Sequence, residues 1–221
     1  MAIHNINTLF ADTLNTADLS QKQRAVLDAS LALFSEKGFA GTTTGDIAAR
    51  AGVSEGTVYK QFKTKEAILT AILAPVIQQV IPRAAGEFSE NIAAQRFPHF
   101  TDFLRFAATD RLTFVQDNAP QLRVLLQEVM QNPALLTTLR QSMDRLLAGP
   151  IGQTLRHFQE TGEVVDWPLL RIIRFIVSAL VGYALPALLM NTPLAVPDVV
   201  AEVVPFLVQG LAPASRTRAK A

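Results

Sequence analysis

The chain has 221 residues, with 20 lysines and arginines against 19 aspartates and glutamates, so its net charge is only +1. That balance excludes recognition of a polyanion by bulk charge and leaves it to local arrangement. With 49% apolar residues, 18% charged and no cysteine, the chain is not disordered, holds no disulfide or thiolate site, and suits a reducing compartment.

Residues 1–19 are weakly patterned and read as a flexible N-terminal extension, with at most one helical turn around Phe10. No positively charged start followed by an apolar run marks a secretory signal, and a cytoplasmic protein is expected. From Lys22 a helical period sets in. Leu27, Leu31 and Phe34 share one face, and Gly38 stands where a left-handed residue stops a helix. Thr43 and Asp46 form a capping pattern that opens a short helix through Arg50, which Gly52 closes. Ser54 opens the next helix, to about Phe62. Another runs from Lys65 to about Ile81, with Pro82 expected to limit it.

Beyond residue 85 no strand alternation with a hairpin dipeptide occurs. Helical stretches are expected at about 98–117, 120–130, 133–161, 168–190 and 197–211, with Gly149-Pro150 splitting or kinking the third. Pro133, Pro168 and Pro197 each stand at a plausible first helical position. The fold class is all-α, with about nine helices: an N-terminal three-helix helix-turn-helix head and a C-terminal helical body. The boundaries expected are a head over 20–66, a body over 67–212 and a basic disordered tail over 213–221 carrying Arg216, Arg218 and Lys220.

The informative segment is Thr43–Phe62. Two short helices joined by a glycine-containing turn form the arrangement that places its second helix in the DNA major groove. Ile47, Ala48 and Ala51 offer the small apolar surface that lets the helices cross, and Val58 and Phe62 give the second helix one buried face. The opposite face carries Glu55, Gly56, Thr57, Tyr59, Lys60 and Gln61. Thr57 suits a thymine methyl or a phosphate, Lys60 a guanine edge or a phosphate, and Tyr59 a phosphate. The amides at the start of the Thr43 helix suit a further phosphate, and Lys63 and Lys65 flank the site. Between Lys22 and Ile68 seven basic residues face five acidic ones, a mild local excess.

From Arg24 to Leu69 the chain resembles the tetracycline-repressor-like (TetR) family. The resemblance rests on Val26-Leu27-Asp28-Ala29 with Phe34, Glu36-Lys37-Gly38-Phe39, Thr42-Thr43, Asp46-Ile47-Ala48, Ala51-Gly52-Val53-Ser54, Gly56-Thr57-Val58-Tyr59, Phe62 and Lys65-Glu66-Ala67. It implies a DNA-binding head on a ligand-binding body, acting as a homodimer and usually repressing transcription until an effector binds. The DNA-facing residues it implies are Thr43, Thr44, Thr57, Tyr59, Lys60 and Lys65, and Ser54, Glu55 and Gly56 are expected beside them. Two departures, Lys60-Gln61 after Tyr59 and a side-chain-free Gly45, leave the base preference open.

The partners expected are a double-stranded DNA operator, a small apolar or aromatic effector and a second copy of the chain, with no cofactor, no metal and no membrane. Candidate effector contacts are Phe103, Phe106, Phe114, Met130, Met143, Phe158 and Trp167, with polar groups from His99, His157, Arg111, Arg123 and Glu128. The last two long helices are apolar over more than one face. Ile172, Ile176, Ala179, Leu180, Gly182, Tyr183, Val203 and Phe206 are expected at the dimer interface. His4, His99 and His157 stand in no helical metal frame, and neither a phosphate-cradling glycine loop nor a nucleophile elbow is present, so an enzyme is not expected. The alternatives are an activator, a regulator controlled by a protein partner, or a membrane-associated adaptor using the apolar stretch Phe175–Met190.

Overall fold

A computed structural model describes residues 5–129 and 133–213, apart from the side chains of 127–129, 133–136, 138–139 and 142. Met1–His4, Met130 and the tail 214–221 lie outside the described residues. Among those described every regular element is helical: α1 Ile6–Thr16, α2 Gln21–Lys37, α3 Thr44–Ala51, α4 Glu55–Gln61, α5 Lys65–Pro75, a π turn Val76–Val80, α6 Ile81–Ala93, α7 Phe100–Asp117, α8 Ala119–Val129, α9 Pro133–Ala148, α10 Pro150–Glu160, α11 Leu169–Met190 and α12 Val196–Leu211. Because α5, the π turn and α6 run on as one rod, these make eleven helices rather than about nine.

Three local features depart from the sequence expectation. Residues 6–16 form a full helix rather than a flexible extension. Asn5 caps it, and it is tied down by buried Ile6, Leu9, Phe10 and Leu14 and by a 2.6 Å bond from the Ile6 amide to the Asn118 side chain. Pro82 does not end the rod. Proline lacks the amide that an α turn needs and its ring crowds the carbonyl four residues back. Here the turn just before it is widened, the Ile81 amide bonding to the Val76 carbonyl five residues earlier. Such single π turns accommodate a local misfit without stopping a helix. Gly149-Pro150 does split the third expected stretch, into α9 and α10.

The chain packs as two compact units, Met1–Ala84 with Asp117–Arg140, and Ala85–Gln116 with Gln141–Ala221. In the first, α2 is the central helix, touching α1, α3, α4, α5 and α8. Its start is held by a capping box between Ser20 and Gln23, and its buried face presents Val26, Leu27, Leu31 and Phe34. In the second, α11 packs against α10 and α12 around a core that includes Phe100, Phe103, Leu155, Phe158, Ile172 and Val203. By length and composition alone, Lys65–Ala93 and Leu169–Met190 are long and apolar enough to cross a membrane.

Candidate DNA-recognition face and effector cavity

The helix pair α3–α4 is built from its caps outward. Thr43 caps α3: its hydroxyl accepts from the Asp46 amide at 3.0 Å, while the Thr43 amide donates to the Asp46 carboxylate at 3.0 Å. The Thr43 amide, and the Thr43 hydroxyl that also donates to this carboxylate at 2.9 Å, hold the Asp46 carboxyl below its ordinary range, helped by Lys37 at 3.5 Å. Gly52 follows α3 in the left-handed conformation, φ 66°, and the Val53 amide reaches back to the Ala48 carbonyl at 3.0 Å. This closure turns the chain sharply through a left-handed residue, a conformation that favours glycine. Ser54 then caps α4 by accepting from the Thr57 amide at 3.2 Å. Ile47, Ala48 and Val58 are buried where the two helices meet α2.

The expected DNA-facing residues come together on one side. Glu55, Gly56, Tyr59 and Lys60 are exposed, and Tyr59 keeps 50% of its surface open. The Thr44 hydroxyl donates to Glu55 Oε1 at 2.6 Å and lies 3.1 Å from the Tyr59 hydroxyl, so the first turn of α3 is joined to the outer face of α4. Ser54 and Thr57 hydroxyls pair at 2.9 Å. Gly56 has an ordinary φ, and a Cβ added there would meet nothing nearer than the Ser54 hydroxyl at 4.0 Å. The chain itself therefore does not require glycine at that position.

Lys65 is placed differently from expectation. Its ammonium donates to the Phe39 and Thr42 carbonyls at 2.8 and 2.9 Å and sits 4.4 Å from the Phe39 ring centroid. Two of its donors thus clamp the loop between α2 and α3, a geometry that sequence spacing does not reveal. Lys63, close by in the chain, is exposed.

In the second unit, a cavity of about 180 Å³ is walled by Phe88, Phe103, Ala107, Met143, Ile176 and Leu180, with Arg111 at its edge. Of the expected effector contacts, only Phe103 and Met143 line it. Phe158 is 1% exposed and packed against Phe100 and Phe103 as core. Phe106 packs on Phe97, while Phe114 lies under the Arg111 guanidinium. Trp167 stacks beside Phe175 and Arg171. Met130 and the Glu128 side chain lie outside the described residues. Of the expected polar groups, Arg111 alone reaches the wall; His99 faces Glu163 at 3.6 Å and His157 is exposed. Ala85 and Phe88 escaped the sequence reading because Pro82 was read as a stop. A wider groove of about 880 Å³ along α12, with Thr101, Val200 and Val204 in its wall, takes in none of the expected contacts.

The expected interface residues divide. Ile172, Ile176, Leu180 and Val203 are buried in their own unit, because α11 and α12 turn one apolar stripe inward. Gly182 and Phe206 face outward, with Phe206 70% exposed, and Ala179 and Tyr183 are half-buried. Val181 is exposed as well, and so are Leu170, Phe175, Leu189 and Met190, which sequence reading did not assign to the interface. Among the described residues no three histidine, aspartate or glutamate side chains converge as metal ligands.

Helix-turn-helix geometry on an all-α chain defines a class of DNA-binding regulators, and comparison makes the class specific. Residues 26–72 match the family described as bacterial regulatory proteins, tetR family. The chain is 43% identical over 51 residues to the HTH-type regulator YerO of Bacillus subtilis, covering 23% of this chain and 18% of that protein. With the HTH-type transcriptional regulator UidR of Escherichia coli K12 it shares 29% identity over 143 residues, 63% of this chain and 67% of UidR. The first two curated relatives are thus matched over only 18% and 27% of their length. The fold is that of FadR from Bacillus subtilis, solved with stearoyl-CoA (TM-score 0.58, 18% identity, 85% of this chain and 98% of that one). FadR from Bacillus halodurans is similar (TM-score 0.60, 18% identity, 88% and 98%).

Proposed function

We propose that this chain is a cytoplasmic, homodimeric transcriptional regulator that binds a palindromic operator through α3–α4 and releases it when a small apolar effector enters the second unit. The observation that carries the reading is the capped α3–turn–α4 pair, whose outer face holds Gly56, Tyr59 and Lys60 exposed while Val58 is buried. Such a face fits the major groove, and Thr43, Thr44 and the first amides of α3 fit the adjoining phosphates. Functionally the chain divides into a head at 20–66 and a body at 67–212.

A second copy meets the outward apolar face of α11 and α12, supported by the exposure of Phe175, Leu189, Met190 and Phe206. Exposed apolar groups in this number mark an interaction surface. The effector acts by binding two arrangements of the dimer unequally, so that the spacing of the reading heads fits the operator in only one of them.

Selection of short duplexes from random DNA tests the reading. A palindromic site is expected, bound by a dimer and weakened by an effector. Failure to enrich any duplex overturns the proposal. The apolar α11 face also suits a membrane adaptor; a discrete dimer on light scattering without detergent excludes that reading.

A further inference from the structure

The wall of the cavity in the second unit is carbon almost throughout. Phe88, Phe103, Ala107, Met143, Ile176 and Leu180 enclose most of it, and the one charged residue is Arg111 at the edge. A lone arginine beside an apolar cavity usually suggests a receptor for a carboxylate. Here that charge is already answered. Arg111 Nε donates to the buried Asp110 carboxylate at 2.8 Å, its terminal nitrogen bonds the same oxygen, and the guanidinium lies 4.0 Å from the Phe88 ring centroid. Asp110 is 6% exposed. An incoming carboxylate would meet a guanidinium already neutralised by Asp110 through Nε and one terminal nitrogen, and would lie close to that buried carboxylate of like charge.

Size adds a second restriction. The cavity of about 180 Å³ is close to cavities of about 150 Å³ that admit one benzene ring. An eighteen-carbon acyl chain with a nucleotide head is much larger than that volume and would have to extend beyond it.

We propose that the effector of this regulator is a compact, uncharged apolar molecule of about one substituted ring, and that Arg111 closes the cavity as half of an internal ion pair rather than receiving an anion. The inference rests on the regulatory reading above but concerns only what enters the cavity. Toluene, benzoate and stearoyl-CoA, titrated calorimetrically into the full chain, separate the possibilities.

Toluene is expected to bind saturably with a negative heat-capacity change, and benzoate to bind at least about a hundredfold more weakly. Ala107→Leu, or Ala85→Leu if the first impairs folding, should lower toluene affinity by about tenfold or more by occupying the space. Replacing the pair together, Asp110→Asn with Arg111→Met, removes both charges of the pair and reads whether any anion binding depends on Arg111. Benzoate or stearoyl-CoA binding as tightly as toluene overturns the proposal. So does an anion whose binding disappears in the paired variant, or the absence of binding by all three probes. Operator selection on the same protein is read separately, so loss of this inference and loss of the regulatory reading are distinguishable.

Discussion

Gly56 gives the sharpest test of the recognition face. Nothing in the chain approaches the place a Cβ would occupy, and alanine favours helices by up to about 1 kcal/mol. Gly56→Ala should therefore leave thermal stability equal or slightly higher, yet weaken operator binding, because the added methyl meets DNA. Equal affinity in wild type and variant would remove α4 from the groove. The lysines divide in the same way. Lys63→Ala or Lys60→Ala should reduce the salt slope of operator binding by about one counterion. Lys65→Met should leave that slope unchanged and lower stability by about 1–3 kcal/mol, since it strips a cation from two carbonyls. At Asp46 the carboxyl is held below its ordinary value by its bonds to Thr43. The folded-state value is thus depressed, so the contribution of the cap is present above the ordinary aspartate range and is lost as pH falls through the lower folded value. Amide exchange in α3 should accelerate on acidification over that window, and Asp46→Asn should flatten the dependence.

Among the elements, the joint between α9 and α10 leaves no room for a side chain at Gly152. A Cβ on Gly152 would lie 1.9 Å from the Leu147 carbonyl oxygen, which is backbone and cannot swing aside. Gly152→Ala should cost about 1–3 kcal/mol or more, as overpacking of a filled site does, visible as a lowered denaturation midpoint. At Gly52 the restriction is conformational instead. No atom lies within 4 Å of an added Cβ, but φ is 66°, and an L residue there costs about 1–2 kcal/mol. The position of Gly52 was legible in the sequence, because a helix stop followed by a serine cap is a local signal. The demand on Gly152 was not, since it depends on how α10 folds back on the end of α9. The continuation of α5 into α6 was hidden for a related reason: proline reads as a stop unless the turn before it widens.

For the whole molecule, the two apolar faces of α11 separate core from proposed interface. Gly182 is exposed, with open space around a Cβ, so Gly182→Glu should fold normally and shift the dimer to monomer on light scattering. Val203→Glu should instead unfold the second unit, because Val203 is 3% exposed and an unpaired buried charge costs several kcal/mol. A folded, undissociated Gly182→Glu dimer would place the interface elsewhere. Sequence periodicity marked α11 as apolar on too many sides, but it did not say which stripe was inward. Ile176 and Leu180, expected at the interface, line the cavity instead.

By itself the sequence determined the all-α class, the capped helix pair, its polar outer face and the resemblance of the head to the tetR family. Those follow from caps, turn glycines and the 3.6-residue period, all set by neighbours within a few positions. Tertiary structure decided the remaining assignments. It turned Lys65 toward two carbonyls, paired Arg111 with Asp110, brought Phe88 and Met143 to one cavity, and chose which stripe of α11 faces inward. Each of these depends on residues distant in the chain approaching within contact range, and no local pattern encodes that approach.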